Sequence, residues 1–72
     1  FLLEKDEYLK KYQNALANLS EEQRVAFMLN KVEGKKHEEI AQILGVTRKV
    51  VEYRIYSAFD QLKKELENFR VK

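Results

Sequence analysis

No proline interrupts this chain, and its two glycines, Gly34 and Gly45, both stand between segments with apolar residues at helical spacing. Proline would remove an amide donor and clash with the preceding turn, so its absence leaves helices free to run. Glycine takes the left-handed backbone without steric cost, which suits it to helix ends. Sustained period-two alternation, the mark of a half-buried strand, is lacking. The fold is therefore expected to be all-α, cut into helices at the glycines and at the capping residues between them.

The first helix is expected over residues 4–17. Leu9, Tyr12, Leu16 and Leu19 share one face, with Tyr8 and Ala15 beside it. Ser20 is a good N-cap, and Gln23 three residues on completes a capping box. Glu21 and Glu22 occupy the first turn, where the helix dipole favours acid. The second helix runs to about Val32. Val25, Ala26, Phe27, Met28 and Leu29 make it apolar on most sides, so it is expected to be central and most buried. Gly34 closes it as a left-handed cap. A short third helix, about His37 to Leu44, buries Ile40, Ala41, Ile43 and Leu44 and stops at Gly45. Thr47 caps the fourth, whose apolar stripe is Val51, Ile55, Ala58, Phe59, Leu62, Leu66 and Phe69. That helix extends to about residue 69, with Gln61 and Glu65, and Lys63 and Glu67, four apart on its polar side. With no repeat, linker or low-complexity run, residues 1–72 are expected to form one four-helix domain.

A chain of 72 residues has a limited core. Cysteine is absent, so neither a disulfide framework nor a thiolate metal site is available. The single histidine, His37, cannot build a zinc site alone. Stability is expected from packed helices, without metal or cofactor, and the lack of cysteine is compatible with a reducing, cytoplasmic setting. No run approaches the roughly 18 apolar residues of a membrane span. Phe1-Leu2-Leu3 is too short for a signal-peptide core, and a start on Phe points to a piece excised from a longer protein. No catalytic constellation accompanies His37. Glu38 and Glu39, like Glu21 and Glu22, read as first-turn acids rather than an acid pair. The chain is not expected to be an enzyme or to take a small-molecule substrate.

The third and fourth helices, joined by a tight turn at Gly45, meet the demands of a helix-turn-helix at about 37–69. Ala41 lets the two helices approach, and Val46 and Val51 lock one against the other. An ordinary αα-hairpin shares these features, so the polar residues have to discriminate. If Val51 and Ile55 face inward, then Arg48, Lys49, Glu52 and Tyr53 lie on or near the outward face of the first two turns. In such proteins the start of the second helix enters the major groove. Arg and Lys donate to guanine O6 and N7, and Glu accepts from cytosine N4. Tyr53 and Tyr56 offer a hydroxyl to phosphate or a ring to a thymine methyl, although Tyr56 is also expected to be partly core. The helix start favours a phosphate near Thr47. Charge agrees in direction: residues 1–46 hold seven Lys/Arg against eight Asp/Glu, and residues 47–72 hold seven against four, so net −1 and +3.

These residues form a familiar series. Leu19-Ser20, Gln23-Arg24, Glu33-Gly34, His37-Glu38-Glu39-Ile40-Ala41, Leu44-Gly45-Val46-Thr47, Val51-Glu52 and Ala58 through Leu62 resemble region 4 of bacterial sigma-70-type factors, most nearly the extracytoplasmic-function group. The resemblance covers residues 16–66. It implies that the second helix of the unit reads the −35 promoter element and that the domain docks on the β flap of RNA polymerase core. An anti-sigma factor is expected as a further partner, and a membrane is not. Carried over by position, the DNA-binding residues are Lys36, Thr47, Arg48, Lys49, Glu52, Tyr53 and Arg54, while Lys35 and His37 stand where backbone phosphate passes. Two sites depart from the pattern. Lys36 replaces a capping Ser or Thr, and Val50 replaces a hydroxyl in the reading helix.

The helix-turn-helix core is shared with LuxR-type response regulators, whose domains pair on palindromes, whereas a sigma factor reads one asymmetric element. A third reading is a protein-interaction module that binds polymerase or an anti-sigma factor without useful DNA affinity of its own.

Overall fold

The computed structural model describes residues 2–70, with side chains over residues 7–67. Four helices make up the described chain: α1 (Leu2–Asn18), α2 (Glu21–Lys31), α3 (His37–Leu44) and α4 (Arg48–Arg70).

The helix boundaries follow from local chemistry. The amide of Gln23 donates to Ser20 Oγ at 3.1 Å, and the Ser20 amide donates to Gln23 Oε1 at 2.9 Å, a complete capping box. The same Gln23 donates through Nε2 to Ser57 Oγ at 2.9 Å, so the cap also ties α2 to α4. At its far end α2 caps on Val32, and Gly34, two residues on, takes the left-handed turn at φ +74°. The Lys35 amide reaches back to the Leu29 carbonyl at 3.0 Å, and Asn30 Nδ2 donates to the Lys35 carbonyl at 2.9 Å. Gly45, at φ +70°, ends α3, and the Val46 amide donates to the Ala41 carbonyl at 3.0 Å.

Two apolar clusters hold the helices together. Ala15, Leu19, Phe27, Ala58 and Leu62 join α1, α2 and the C-terminal part of α4, with Leu16 packed against them. Ala26, Ile40, Ala41, Val51 and Ile55 join α2, α3 and the first turns of α4, with Leu29, Leu44 and Val46 at the edge. The second helix was expected to be the centre. Instead α4 packs against each of the other three helices and supplies residues to both clusters, while Met28 on α2 stays exposed. Length explains the difference. Twenty-three residues reach roughly 35 Å at 1.5 Å each, enough to run past all three other helices, whereas α2, which also supplies Phe27 and Ala26 to the two clusters, has eleven.

Single residues of the expected faces also move out. Leu9 is 54% exposed, Ile43 56% and Phe59 53%. On α1 the buried seam follows Ala15 and Leu19, with Tyr12 and Leu16 half-buried, so Leu9 falls to the side. The seam is narrow because Ala15 and Ala58, both fully buried, have small side chains and let the backbones approach. Ile43 faces away because α3 packs on one side only, against α2 and α4. Tyr56 is exposed rather than partly core. Gln61 and Glu65 turn towards the end of α1 rather than to each other: Gln61 Nε2 donates to the Asn18 carbonyl, and Asn18 Nδ2 donates to Glu65 Oε1, both at 3.4 Å. The expected place of Phe69 on the stripe lies outside the described side chains.

Candidate nucleic-acid interface

Thr47 sets the start of α4. Its Oγ1 accepts from the Val50 amide at 3.2 Å, and its carbonyl accepts from the Val51 amide at 3.2 Å. That cap fixes the rotation of the first turn, and Val51 and Ile55 both point into the core. At 100° per residue the opposite face is then carried by Lys49, Tyr53 and Tyr56, and all three are exposed. Arg48 and Glu52 lie on the flank nearest α3, and Arg54 lies on the other flank.

The α3 flank holds a chain of charges. Arg48 Nε donates to Glu52 Oε2 at 2.9 Å, one turn along the same helix. Arg48 Nη1 also donates to Glu38 Oε2 at 3.3 Å, across the turn. His37 Nδ1 stands 3.7 Å from the same Glu52 oxygen and pairs with it only when the imidazole is protonated. Beside these groups an open cleft of about 510 Å³ is bordered by Asn30, Lys35, Lys36, His37 and Arg48. Lys36 is the N-cap of α3 with an exposed side chain. An ammonium has no acceptor, so it leaves the first-turn amides of α3 uncapped. In compensation Glu39 Oε1 accepts from the Lys36 amide at 2.8 Å, half of a capping box.

The seven residues singled out from the sequence therefore divide. Arg48, Lys49, Glu52 and Tyr53 gather at the start of α4, Thr47 holds that start in place, and Lys36 stands across the cleft. Arg54 does not join them: its side chain is 20% exposed and its guanidinium lies 3.8 Å from Glu22 Oε1 on α2. Val50 is half-buried. Sequence reasoning missed Glu38 and Asn30. Read there as a first-turn acid, Glu38 reaches a residue ten positions away, a contact that no helical period announces. Asn30 fastens the loop before α3. Tyr56, given a phosphate or thymine contact from the sequence but expected to be partly core, instead shares the exposed face of Lys49 and Tyr53.

Lys49, Tyr53 and Tyr56 on the exposed face of α4, beside a cleft lined by Lys35, Lys36 and Arg48 together with Glu38, offer cations and hydroxyls suited to a polyanion. Among the described residues no group of three His, Asp or Glu side chains is placed to hold a metal ion, and no helix is long and apolar enough to cross a membrane. The family model described as "Sigma-70, region 4" matches residues 9–62, which takes in α2, α3, the larger part of α4 and the C-terminal part of α1. Searches of curated proteins and of solved structures each gave no match.

Proposed function

The chain belongs to the sigma-70 region 4 family, and on that footing we propose that it recognises the −35 promoter element through the start of α4. Family membership makes it a helix-turn-helix domain of sigma-factor type that binds DNA in transcription initiation, a role that is not enzymatic. The finer reading draws its main support from one observation. The inward seating of Val51 and Ile55 turns Lys49 and Tyr53 outward at the end of α4 that such units place in the major groove. In this reading Arg48 and Lys49 donate to bases or phosphates, Tyr53 contacts sugar, phosphate or a thymine methyl, and Lys36 meets the backbone beside the cleft. Thr47 serves by capping the helix. Arg54 has a smaller part, because Glu22 already neutralises it.

The β flap of polymerase core is the proposed protein partner, within a single region 4 domain of an extracytoplasmic-function-type factor working in the cytoplasm. An apolar groove of about 350 Å³ between α1 and the C-terminal half of α4, lined by Tyr12, Phe27, Phe59, Leu62 and Leu66, offers a surface for it. Leu62 lies roughly 20 Å along α4 from Arg48, so both partners can be engaged together. An anti-sigma factor would use the same apolar surface and exclude polymerase.

Selection of bound sequences from a random duplex pool tests the DNA reading. Enrichment of one asymmetric motif is expected. Enrichment of a palindrome bound by two copies would favour the LuxR-type reading, and no enrichment with polymerase binding intact would favour an interaction module. The pairing of Arg48 with two carboxylates is what keeps that last reading in view.

A further inference from the structure

The Arg48 guanidinium has five N–H donors, and in this structure two of its nitrogens already serve carboxylates on different helices. Glu52 is one turn further along α4, so its hold on Nε travels with the helix. Glu38 belongs to α3, and its hold on Nη1 spans the turn. The two contacts are unequal. The Glu38 contact is 3.3 Å against 2.9 Å, and the Glu38 side chain is 75% exposed against 45% for Glu52. We propose that Glu38 attenuates DNA binding by competing with DNA for the Arg48 guanidinium, while Glu52 keeps that guanidinium aimed.

A bidentate contact to a guanine or a phosphate through the Nη1–Nη2 edge uses the nitrogen that Glu38 holds. A carboxylate there also repels the approaching phosphates. DNA that takes this edge therefore competes with Glu38, whose side chain is largely exposed, whereas Glu52 can stay in place. The cost is that of breaking an exposed ion pair, a factor of roughly 1.5 to 5 in the equilibrium constant. Glu38 then lowers affinity for every duplex alike and leaves the reading of bases to the residues it restrains. This inference rests on the assignment of Arg48 to the DNA-facing end of α4, and its test keeps the two apart.

The test is a double-mutant cycle on the whole chain, with Glu38→Gln, Arg48→Ala and the pair. Binding to a fluorescein-labelled mixed-sequence duplex is read by anisotropy over a range of salt. Glu38→Gln is expected to tighten binding about two- to fivefold when Arg48 is present and to make the salt dependence steeper. In the Arg48→Ala background the gain should fall to less than half of that factor, since only general repulsion is relieved. An equal gain in both backgrounds, or weaker binding by Glu38→Gln alone, overturns the attenuator. If Arg48→Ala by itself leaves affinity and salt slope unchanged, the placement of Arg48 at the DNA fails first, and the attenuator with it. Helical circular dichroism of each variant confirms that the exposed substitutions leave the fold intact.

Discussion

Lys36 shows how one side chain can answer two demands with opposite signs. It occupies an N-cap, where an acceptor is wanted, and it offers a cation beside a cleft proposed to meet DNA. Lys36→Ser is expected to stabilise the fold by roughly 0.5–1 kcal/mol through the restored cap. In a domain of this size that raises Tm by about 4–8 °C per kcal/mol. The same change should weaken duplex binding and lower the slope of log affinity against log salt by about 0.9 if one phosphate contact is lost. A variant both less stable and unchanged in binding would contradict both assignments. Arg48→Ala with Lys49→Ala is expected to weaken binding and flatten its salt dependence further. Unchanged binding would remove the start of α4 from the interface. At this scale much was readable in advance: the Ser20 and Thr47 caps follow from side-chain chemistry acting within three residues. Glu38 was not readable, because its partner is brought near by the turn and not by the period of a helix.

The elements are punctuated by glycine, and Gly45 gives the sharpest case. Its φ of +70° lies in the left-handed region, and a Cβ added there would meet no atom within 4 Å. The cost of a side chain is therefore a backbone cost alone. Gly45→Val is expected to destabilise by more than the roughly 1–2 kcal/mol typical of that region, because the residue is β-branched. Gly45→Asn should lose less, since asparagine tolerates the left-handed turn. Chemical denaturation of both variants checks the order, and equal losses would point to crowding rather than backbone strain. The helices themselves were legible from caps and spacing, with α3 at its expected bounds and α4 within a residue of its expected end. Their buried faces were less so. Leu9, Ile43 and Phe59 satisfy the periodicity yet face out, because periodicity tells which residues share a face and not how wide a face the neighbouring helix covers.

At the level of the whole molecule, α4 packs on each of the other three helices and, like α2, supplies residues to both apolar clusters. Damage in one cluster should therefore lower the stability of the whole without disturbing the end of α4 proposed to face DNA. Leu62→Ala, at a nearly fully buried position, is expected to cost about 2–5 kcal/mol. Below its melting transition the variant should bind duplex DNA as the parent does, since Leu62 lies roughly 20 Å along α4 from Arg48. Loss of binding by folded Leu62→Ala would show that the clusters are coupled to the interface. The principal-axis extents of 42 × 19 × 16 Å reflect the same arrangement, a long helix with shorter ones laid along it.

The sequence by itself determined the helices, their caps, the turn at Gly45 and the family, because each depends on residues close in the chain or on a fixed order of motifs. Tertiary structure decided which helix is central, which side chains reach solvent, and that Arg54 turns to Glu22 while Arg48 is shared by Glu38 and Glu52. Those outcomes depend on the rotation and approach of packed helices. Small residues such as Ala15 and Ala58 set that approach, and only their meeting in space makes them neighbours.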